Sequence, residues 1–435
     1  MFLLYNCLLT VLAPVWVVWM LLRARARKEA PNWAERQGQY ALTPRKDRQR
    51  IWIHAVSVGE VVAAMPVLAE LRKQLPKHEI VLSVTTSSGH ATAREKASAF
   101  YDHLVYAPID VARFTLGAMQ RLQPSVLAIM ETELWMNLLW AAKTFDVQTV
   151  LINGRISDRS FRRSKKIAFF YRSLFRKMDR LLMQSEGDAE RVRALGADQQ
   201  KVEVLGNCKF DQALEGLDAD PSQWRRELCI SDESRVIVVG SIRAEEFEFL
   251  AQAVAKVENA IWVIAPRHLE RISELEKGLS SVGTTTGVVR RSNYSAGTAE
   301  ETMGGKPMPR IILLDTYGEL SQVYSVADVA IVGGGFAKLG GQNILQPLAH
   351  GKPVLHGPHM ANFRDVAAMS VTAGASWVCT DPQALATAIK QLLENDMMRA
   401  EMGRAASELV RANVGASRRY AEAIAMAAST RQAKS

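Results

Sequence analysis

From Ile51 onward the chain alternates short apolar runs with helix-length amphipathic stretches, and no other feature restricts its fold as much. The runs are IWIHAV, IVLSVT, HLVYAPI, SVLAIME, TVLING, RLLMQS and KVEVLG. A strand that is apolar along its whole length is buried on both faces, as in a parallel sheet covered on each side by crossover helices. After residues 207–221 (NCKFDQALEGLDADP) the alternation restarts with RVIVVGS, AIWVIAP, RIILLD, VAIVGG, PVLHG and ASWVC. The pattern predicts two Rossmann-like α/β domains, residues 51–207 and 222–435, joined by a linker at 208–221, with a last helix able to pack back on the first domain. A chain of 435 residues can bury two such cores. Residues 283–309, rich in Gly, Ser and Thr, read as a mobile loop. Two domains of this kind facing one another would line a cleft with the carboxyl ends of both sheets, where open α/β folds hold ligands.

The start of the chain follows a different rule. Residues 1–22 (MFLLYNCLLTVLAPVWVVWMLL) carry no charged side chain, and RARARK follows at once. That length matches the roughly 20 residues needed to cross a bilayer. A cleaved leader would want its positive charge before the apolar run. Charge after it places the remaining chain on the cytoplasmic side. The segment is expected to span the membrane, or to lie in one leaflet as a helix interrupted at Pro14, and to be dispensable for folding of the α/β domains.

Charge placement agrees with work at a membrane surface. The formal net charge is +9, yet residues 23–50 alone carry a net +6 and residues 155–180 a net +8, which leaves −5 for everything else. No helix-turn-helix, zinc-finger or RNP pattern accompanies the charge, so anionic lipid suits these juxtamembrane clusters better than nucleic acid. The four cysteines are widely spaced and the histidines form no HxxxH or HExxH pair, which argues for a reducing compartment and against a zinc site.

Acids recur where strands of the first half end. In IWIHAVSVGEVVAAMP, Ser57 and Glu60 stand at a strand-to-helix turn. The spacing is that of a capping box, and equally that of an acid at the ligand-binding edge of a sheet. In AIMETELWMNLL, Glu131 and Glu133 follow another buried run, where acids are expensive unless solvated or paired. Next, Ile167, Phe170, Tyr171, Leu174, Phe175, Met178, Leu181 and Leu182 fall at helical spacing. Arg155, Arg159, Arg162 and Arg163 lie in the same basic stretch and suit the phosphates of an acidic lipid. In the second half Gly340 and Gly341 precede Asn343 at an expected helix start, where backbone N–H groups and the dipole favour phosphate. Arg267 and His268 follow a strand and can bond a phosphate or carboxylate.

Taken together, WIHAVSVGEVVAAMPVL, METELWMNLL, INGRISDRSFRR, APRH, DTYGELSQVYSVADVAIVGGGF and GGQNILQPLAHGKPVLHGP resemble the Kdo (3-deoxy-D-manno-octulosonic acid) transferases along nearly the whole chain. The resemblance implies a GT-B enzyme at the cytoplasmic face of the inner membrane. It would move Kdo, with inversion, from CMP-Kdo to the glucosamine disaccharide bisphosphate precursor of lipid A, with no cofactor and no metal bound by the protein. Glu60 takes the place of the general base, Ser57 and Gly59 border the reacting sugar, and Glu131 and Glu133 lie toward the acceptor. Arg267, His268, Gly318, Glu319, Leu320, Gly340, Gly341, Asn343 and Gln346 take the CMP side. The helix dipole is expected to keep Glu60 ionised at neutral pH and to exclude an acid role. The chain departs from the family pattern at Gln346 in place of Glu, at Ile242-Arg243 in place of Thr-His and at Gly335 in place of Ser. These leave open a GT-B enzyme with another nucleotide sugar, or a silent lipid-binding relative.

Overall fold

The computed structural model describes residues 2–3, 5–11, 32–42, 49–214, 217–280, 287–293 and 311–432. By its internal contacts the chain divides into two units, Met1–Asp211 with Asn413–Ser435, and Gln212–Ala412.

The first unit is built on a seven-stranded sheet: β1 (Arg50–His54), β2 (Glu79–Val84), β3 (His103–Tyr106), β4 (Val126–Met130), β5 (Gln148–Gly154), β6 (Arg180–Met183) and β7 (Val202–Val204). The spatial order is β3-β2-β1-β4-β5-β6-β7, with parallel pairing throughout. Alternate residues of one strand feed opposite layers: Ile51 and Ile53 join one buried cluster and Trp52 the other. Each layer therefore needs its own helices, which explains the uninterrupted apolar runs. The order in which strands are added reverses between β1 and β4, and that point places the loops after both strands side by side.

Two long helices pack on the face that carries Ile51 and Ile53, beside Ala93 of the shorter helix Ser87–Lys96. One, α1 (Val58–Gln74), follows β1; the other, α4 (Ala416–Gln432), comes from the far end of the chain. The Asp211 carboxylate fastens α4 at its start by accepting the amides of Gly415 and Ser417 at 2.6 and 2.7 Å, and the buried Tyr420 hydroxyl donates to the Gly206 carbonyl at 2.6 Å.

The second unit repeats the plan with β8 (Val236–Ile242), β9 (Ile261–Pro266), β10 (Val288–Arg290), β11 (Ile311–Leu313), β12 (Val329–Val332), β13 (Val354–His356) and β14 (Ser376–Val378). Its order is β10-β11-β9-β8-β12-β13-β14, reversing between β8 and β12. The strand β10 lies inside the stretch read as a mobile loop. Val288 and Val289 pair there with Ile311 and Ile312 at the sheet edge, a β-branched pair too short to register as a run. Residues 281–286 and 294–310 lie outside the described residues.

Two further expectations change. The apolar stripe from Ile167 is not one helix: residues 158–164 and 168–175 are helical, whereas Leu181 and Leu182 belong to β6. Ile167 and Phe169 are exposed, at 44% and 60%. The amino-terminal residues, in turn, are not outside the fold. Residues 5–11 are helical; Tyr5 donates to Asp110 at 2.7 Å, Asn6 and Asn137 exchange amide hydrogen bonds at 2.9 and 3.0 Å, and Phe2 lies 4.6 Å from the Trp140 ring. Paired polar side chains fix a docking register that a purely apolar anchor would not need. Leu3, Leu8 and Val11 remain exposed. No helix among the described residues is long and apolar enough to cross a membrane, and residues 12–31, which include half of the expected anchor, lie outside them.

Candidate active site

Glu60 begins the argument because its local geometry is not the expected cap. Ser57 occupies the N-cap of α1, but its hydroxyl accepts no helix amide; it donates to Glu60 Oε1 at 3.3 Å. Glu60 Oε2 accepts the Val56 amide at 2.7 Å, one residue ahead of the capping-box partner. The side chain is folded back over the strand end and the residue is only 8% exposed. Gly59 beside it is exposed, and the nearest atom to the position a Cβ would take is Ser57 Oγ at 3.9 Å.

Across the point of reversal, the loop after β4 brings two more carboxylates. Glu131 adopts a left-handed backbone (φ 54°), unusual for a residue with a side chain. Its amide donates to the Ile152 carbonyl at 3.0 Å and its carbonyl accepts from the Arg155 amide at 3.4 Å, which hold the turn in place. Glu133 Oε2 accepts the Trp135 indole N–H at 3.1 Å, and Trp135 starts α2 (Met136–Thr144). The Asp110 carboxylate accepts the next two amides of that helix, Asn137 and Leu138, at 3.3 and 2.8 Å.

These three acids feel one another. Burial pushes the Glu60 carboxyl up to about 7, and the charges of Glu131 and Glu133 act in the same direction against the hydrogen bonds from Val56 and Ser57. The expectation of a carboxylate fully ionised at neutral pH is thereby corrected: desolvation of a buried oxygen outweighs the helix dipole, whose effect falls off within the first turn. Glu133 is raised as well, by burial first, with the Glu131 charge adding and the Trp135 bond opposing. A group poised near neutrality can exchange a proton in either direction, which is the requirement for general acid–base work.

Lys209, which the sequence reading did not select, and His54 complete this edge. Lys209 Nζ lies 3.8 Å from Glu131 Oε1, and supplies the cation that the acidic cluster needs. Its place after a buried Cys208, inside a stretch read as linker, hid it; the clue was a lone Lys in an otherwise acidic segment. His54 closes β1 fully buried, with Nδ1 2.9 Å from Ser83 Oγ and its ring edge-on to Trp135 at 4.8 Å. Burial lowers its pKa to about 4, so it is neutral at physiological pH. Its Nε2 is buried with no hydrogen-bond partner among the described residues.

Of the basic residues, Arg162 and Arg163 are exposed, Arg155 is half-buried, and the Arg159 side chain lies outside the described residues.

In the second unit the expected nucleotide residues gather at the carboxyl ends of β9, β12 and β11. Arg267 and His268 are exposed just past β9, with the Arg267 amide bonded to the Ile242 carbonyl at 2.8 Å and His268 Nδ1 3.4 Å from Glu270. Gly318 has φ 87° and open space around it, Leu320 begins a four-residue helix, and Glu319 bonds the Thr316 hydroxyl and pairs with Arg291 at 3.4 Å. Gly340 and Gly341 both have positive φ, 91° and 77°, which only glycine adopts without strain. The helix expected at Asn343 is short: α3 runs Leu345–Ala349, and the Asn343 side-chain Oδ1 accepts the Leu345 amide at 3.0 Å. Five residues make a weak dipole, so glycine-loop geometry matters here more than the helix end. Gln346 is half-buried on α3.

The departures from the family pattern also find places. Ile242 is 1% exposed and packs in the core, so its side chain does not face a ligand. At Gly335 a Cβ would come within 2.8 Å of Met360 Sδ, which fills the space a serine would use. Gly335 and Met360 thus fit as a pair. Missed by sequence reasoning was Glu246, 1% exposed, whose carboxylate accepts the amides of Arg243, Gly334, Phe336 and Ala337 at 3.1, 2.7, 2.9 and 3.2 Å.

Comparison with known proteins gives this geometry a family. The family model of 3-deoxy-D-manno-octulosonic-acid transferase (kdotransferase) matches residues 31–212. The chain is 32% identical to a 3-deoxy-D-manno-octulosonic acid transferase of Bordetella pertussis, over 97% of this chain and 98% of that one. It is 35% identical to a bifunctional glycosyltransferase/methyltransferase of Fusobacterium nucleatum over 74% of this chain; the match spans 49%, about half, of that protein. Among solved structures, a UDP-GlcNAc 2-epimerase from Neisseria meningitidis superposes with a TM-score of 0.54 at 15% identity, covering 85% of this chain and 99% of that one, a likeness of GT-B-like fold alone. With a full-length relative above 30% identity, the chain belongs to the 3-deoxy-D-manno-octulosonic acid transferase family.

Proposed function

We propose that the chain takes Kdo from CMP-Kdo and passes it to a hydroxyl of the lipid A precursor, with Glu60 as general base. Kdo transfer itself follows from family membership; the acceptor, the donor nucleotide and the residue roles are this proposal's own. The observation that carries it is a buried carboxylate with a pKa near 7 at the reversal point of the first sheet, facing two further acids. Glu60 in its ionised form takes the proton of the acceptor hydroxyl while that oxygen attacks the anomeric carbon. The bond to the CMP phosphate breaks, and Arg267 offers charge to the departing phosphate. Glu131 and Glu133 accept hydrogen bonds from the acceptor sugars, and Ser57 and Gly59 leave the approach to Glu60 open. In the second unit His268, the Gly318–Leu320 turn, Gly340, Gly341, Asn343 and Gln346 serve the nucleotide.

The reading includes a membrane. Leu3, Leu8 and Val11 on the docked amino-terminal helix, with Ile167 and Phe169, offer apolar groups, and Arg162, Arg163, Lys165 and Lys166 offer exposed charge for anionic inner-membrane lipid. The docked polar contacts of Tyr5 and Asn6 favour an amino-terminal helix that begins on the protein at the interface. The test is incubation with CMP-Kdo and lipid A precursor. Release of CMP together with a heavier lipid supports the reading. CMP release with another acceptor only, or transfer from a different nucleotide sugar, overturns it.

A further inference from the structure

We propose that Glu246 is a positioning residue for the anionic ligand of the second unit: it holds the loop after β12 in the shape that receives a phosphate ester. The inference rests on the donor-side reading above. Glu246 follows β8, and the loop Gly333–Ala337 follows β12, the two strands that flank the reversal of the second sheet. Its carboxylate thus crosses the one place in this sheet where ligands are expected to bind. All four of its hydrogen bonds go to backbone amides, three of them in that loop. A carboxyl group whose oxygens are all spent on backbone amides does no proton chemistry. It fixes backbone.

The fixed backbone leads directly to the candidate ligand residues. Gly334 accepts the Gly341 amide at 2.8 Å, Gly333 accepts the Gln342 amide at 3.1 Å, and Gly335 accepts the His359 amide at 3.0 Å. Gly340 in turn accepts the Asn362 amide at 2.8 Å. Ala337, bonded to Glu246, immediately precedes Lys338. Lys338, Gly340, His359 and Arg364 line a cavity of about 630 Å³ whose lining contains no carboxylate, which suits an anion. Glu246 thereby sets where Lys338 and the Gly340–Gly341 turn stand, while remaining out of reach of the ligand itself.

The test is Glu246→Gln. An amide keeps one acceptor oxygen and turns an NH2 group toward backbone N–H donors, so one half of the clamp becomes repulsive. CMP binding is measured by calorimetry below the unfolding transition, beside Leu275→Ala, which truncates a fully buried core side chain of the same unit. The expected result is a CMP affinity at least tenfold weaker in Glu246→Gln, with a rise in KM for CMP-Kdo larger than any fall in kcat. Leu275→Ala should unfold at lower temperature and bind CMP normally. Glu246→Asp, which keeps the charge at shorter reach, should lose less affinity than Glu246→Gln and covers the case in which the Gln form does not fold. Normal CMP affinity in a folded Glu246→Gln or Glu246→Asp overturns the proposal. Lys338→Ala and Gly340→Ala separate the two levels. If they weaken CMP and the Glu246 variants do not, only the role of Glu246 falls. If none of them weakens CMP, the donor-side reading falls with it.

Discussion

The two sheets end in acids of opposite condition. In the second unit Glu246 is as buried as a core residue, yet its oxygens are filled by four amides, and Glu319 has a hydroxyl and an arginine. In the first unit Glu60 has one amide and one distant hydroxyl, and faces Glu131 and Glu133 with a single lysine 3.8 Å from one of them. The same residue type at the same place in the same fold is, in the proposed reading, a scaffold in one case and a proton acceptor in the other. What separates them is how many hydrogen bonds compensate the lost water.

The contrast breaks most visibly at Glu60→Gln. Loss of a general base typically removes about 10²–10⁴-fold in rate, and we expect that loss in Kdo transfer with CMP binding retained. The fold should gain. Glu60 titrates near 7 in the folded state against an ordinary 4.5. The folded state therefore binds more protons between those values, and the acid's contribution to stability falls as pH rises through 7. At pH 8 the Gln form should melt higher than the parent, by roughly 1–3 kcal/mol of stability, and the difference should vanish near pH 4.5. A lower melting temperature at pH 8 would show that Glu60 is held as firmly as Glu246.

Next in size is Glu131→Gln. Removing a like charge and leaving Lys209 favours ionised Glu60, so the acid limb of the rate profile should move to lower pH. An unmoved limb would mean that the carboxylates of this edge do not communicate.

Much of this was legible beforehand because it depends on period and spacing. Uninterrupted apolar strands gave the two parallel sheets, and glutamates at strand ends gave Glu60, Glu131 and Glu133 as candidates. What stayed hidden depends on partners far away in sequence. Glu246 sits in AEEFE, indistinguishable from a solvated helix start until the loop 88 residues on wraps around it. Lys209 is read as linker until Glu131 is beside it. The reversal of the Glu60 titration was illegible because a capping motif says nothing of how deeply the side chain is covered. Tyr5 and Asn6 looked like noise in an apolar anchor, whereas Asp110 and Asn137 make them a docking pair.

That pair gives a smaller test at the same edge. Asn6→Ala takes the Asn6 donor from the buried Asn137 Oδ1 at the start of α2, the helix that follows Glu133, while Asn137 Nδ2 keeps the Asp110 carbonyl. We expect a loss of about 1–3 kcal/mol, read as a lower melting temperature. Unchanged melting would return the amino-terminal helix to the status of an anchor independent of the fold. The smallest effect concerns the second sheet. If Gln346 faces the ribose, Gln346→Glu should tighten CMP binding by roughly 1 kcal/mol, since charged hydrogen bonds exceed neutral ones by about that much. Equal or weaker binding in calorimetry would remove Gln346 from the nucleotide side.

The central claim is that the acid at the edge of the first sheet exchanges its proton near neutrality, and the pH dependence of kcat/KM for Kdo transfer tests it most directly. The account predicts a rate that rises with pH and reaches half its maximum near pH 7, with the limb absent from the residual activity of Glu60→Gln. A rate already at its plateau at pH 5.5, or a limb near 7 that persists in Glu60→Gln, would contradict it.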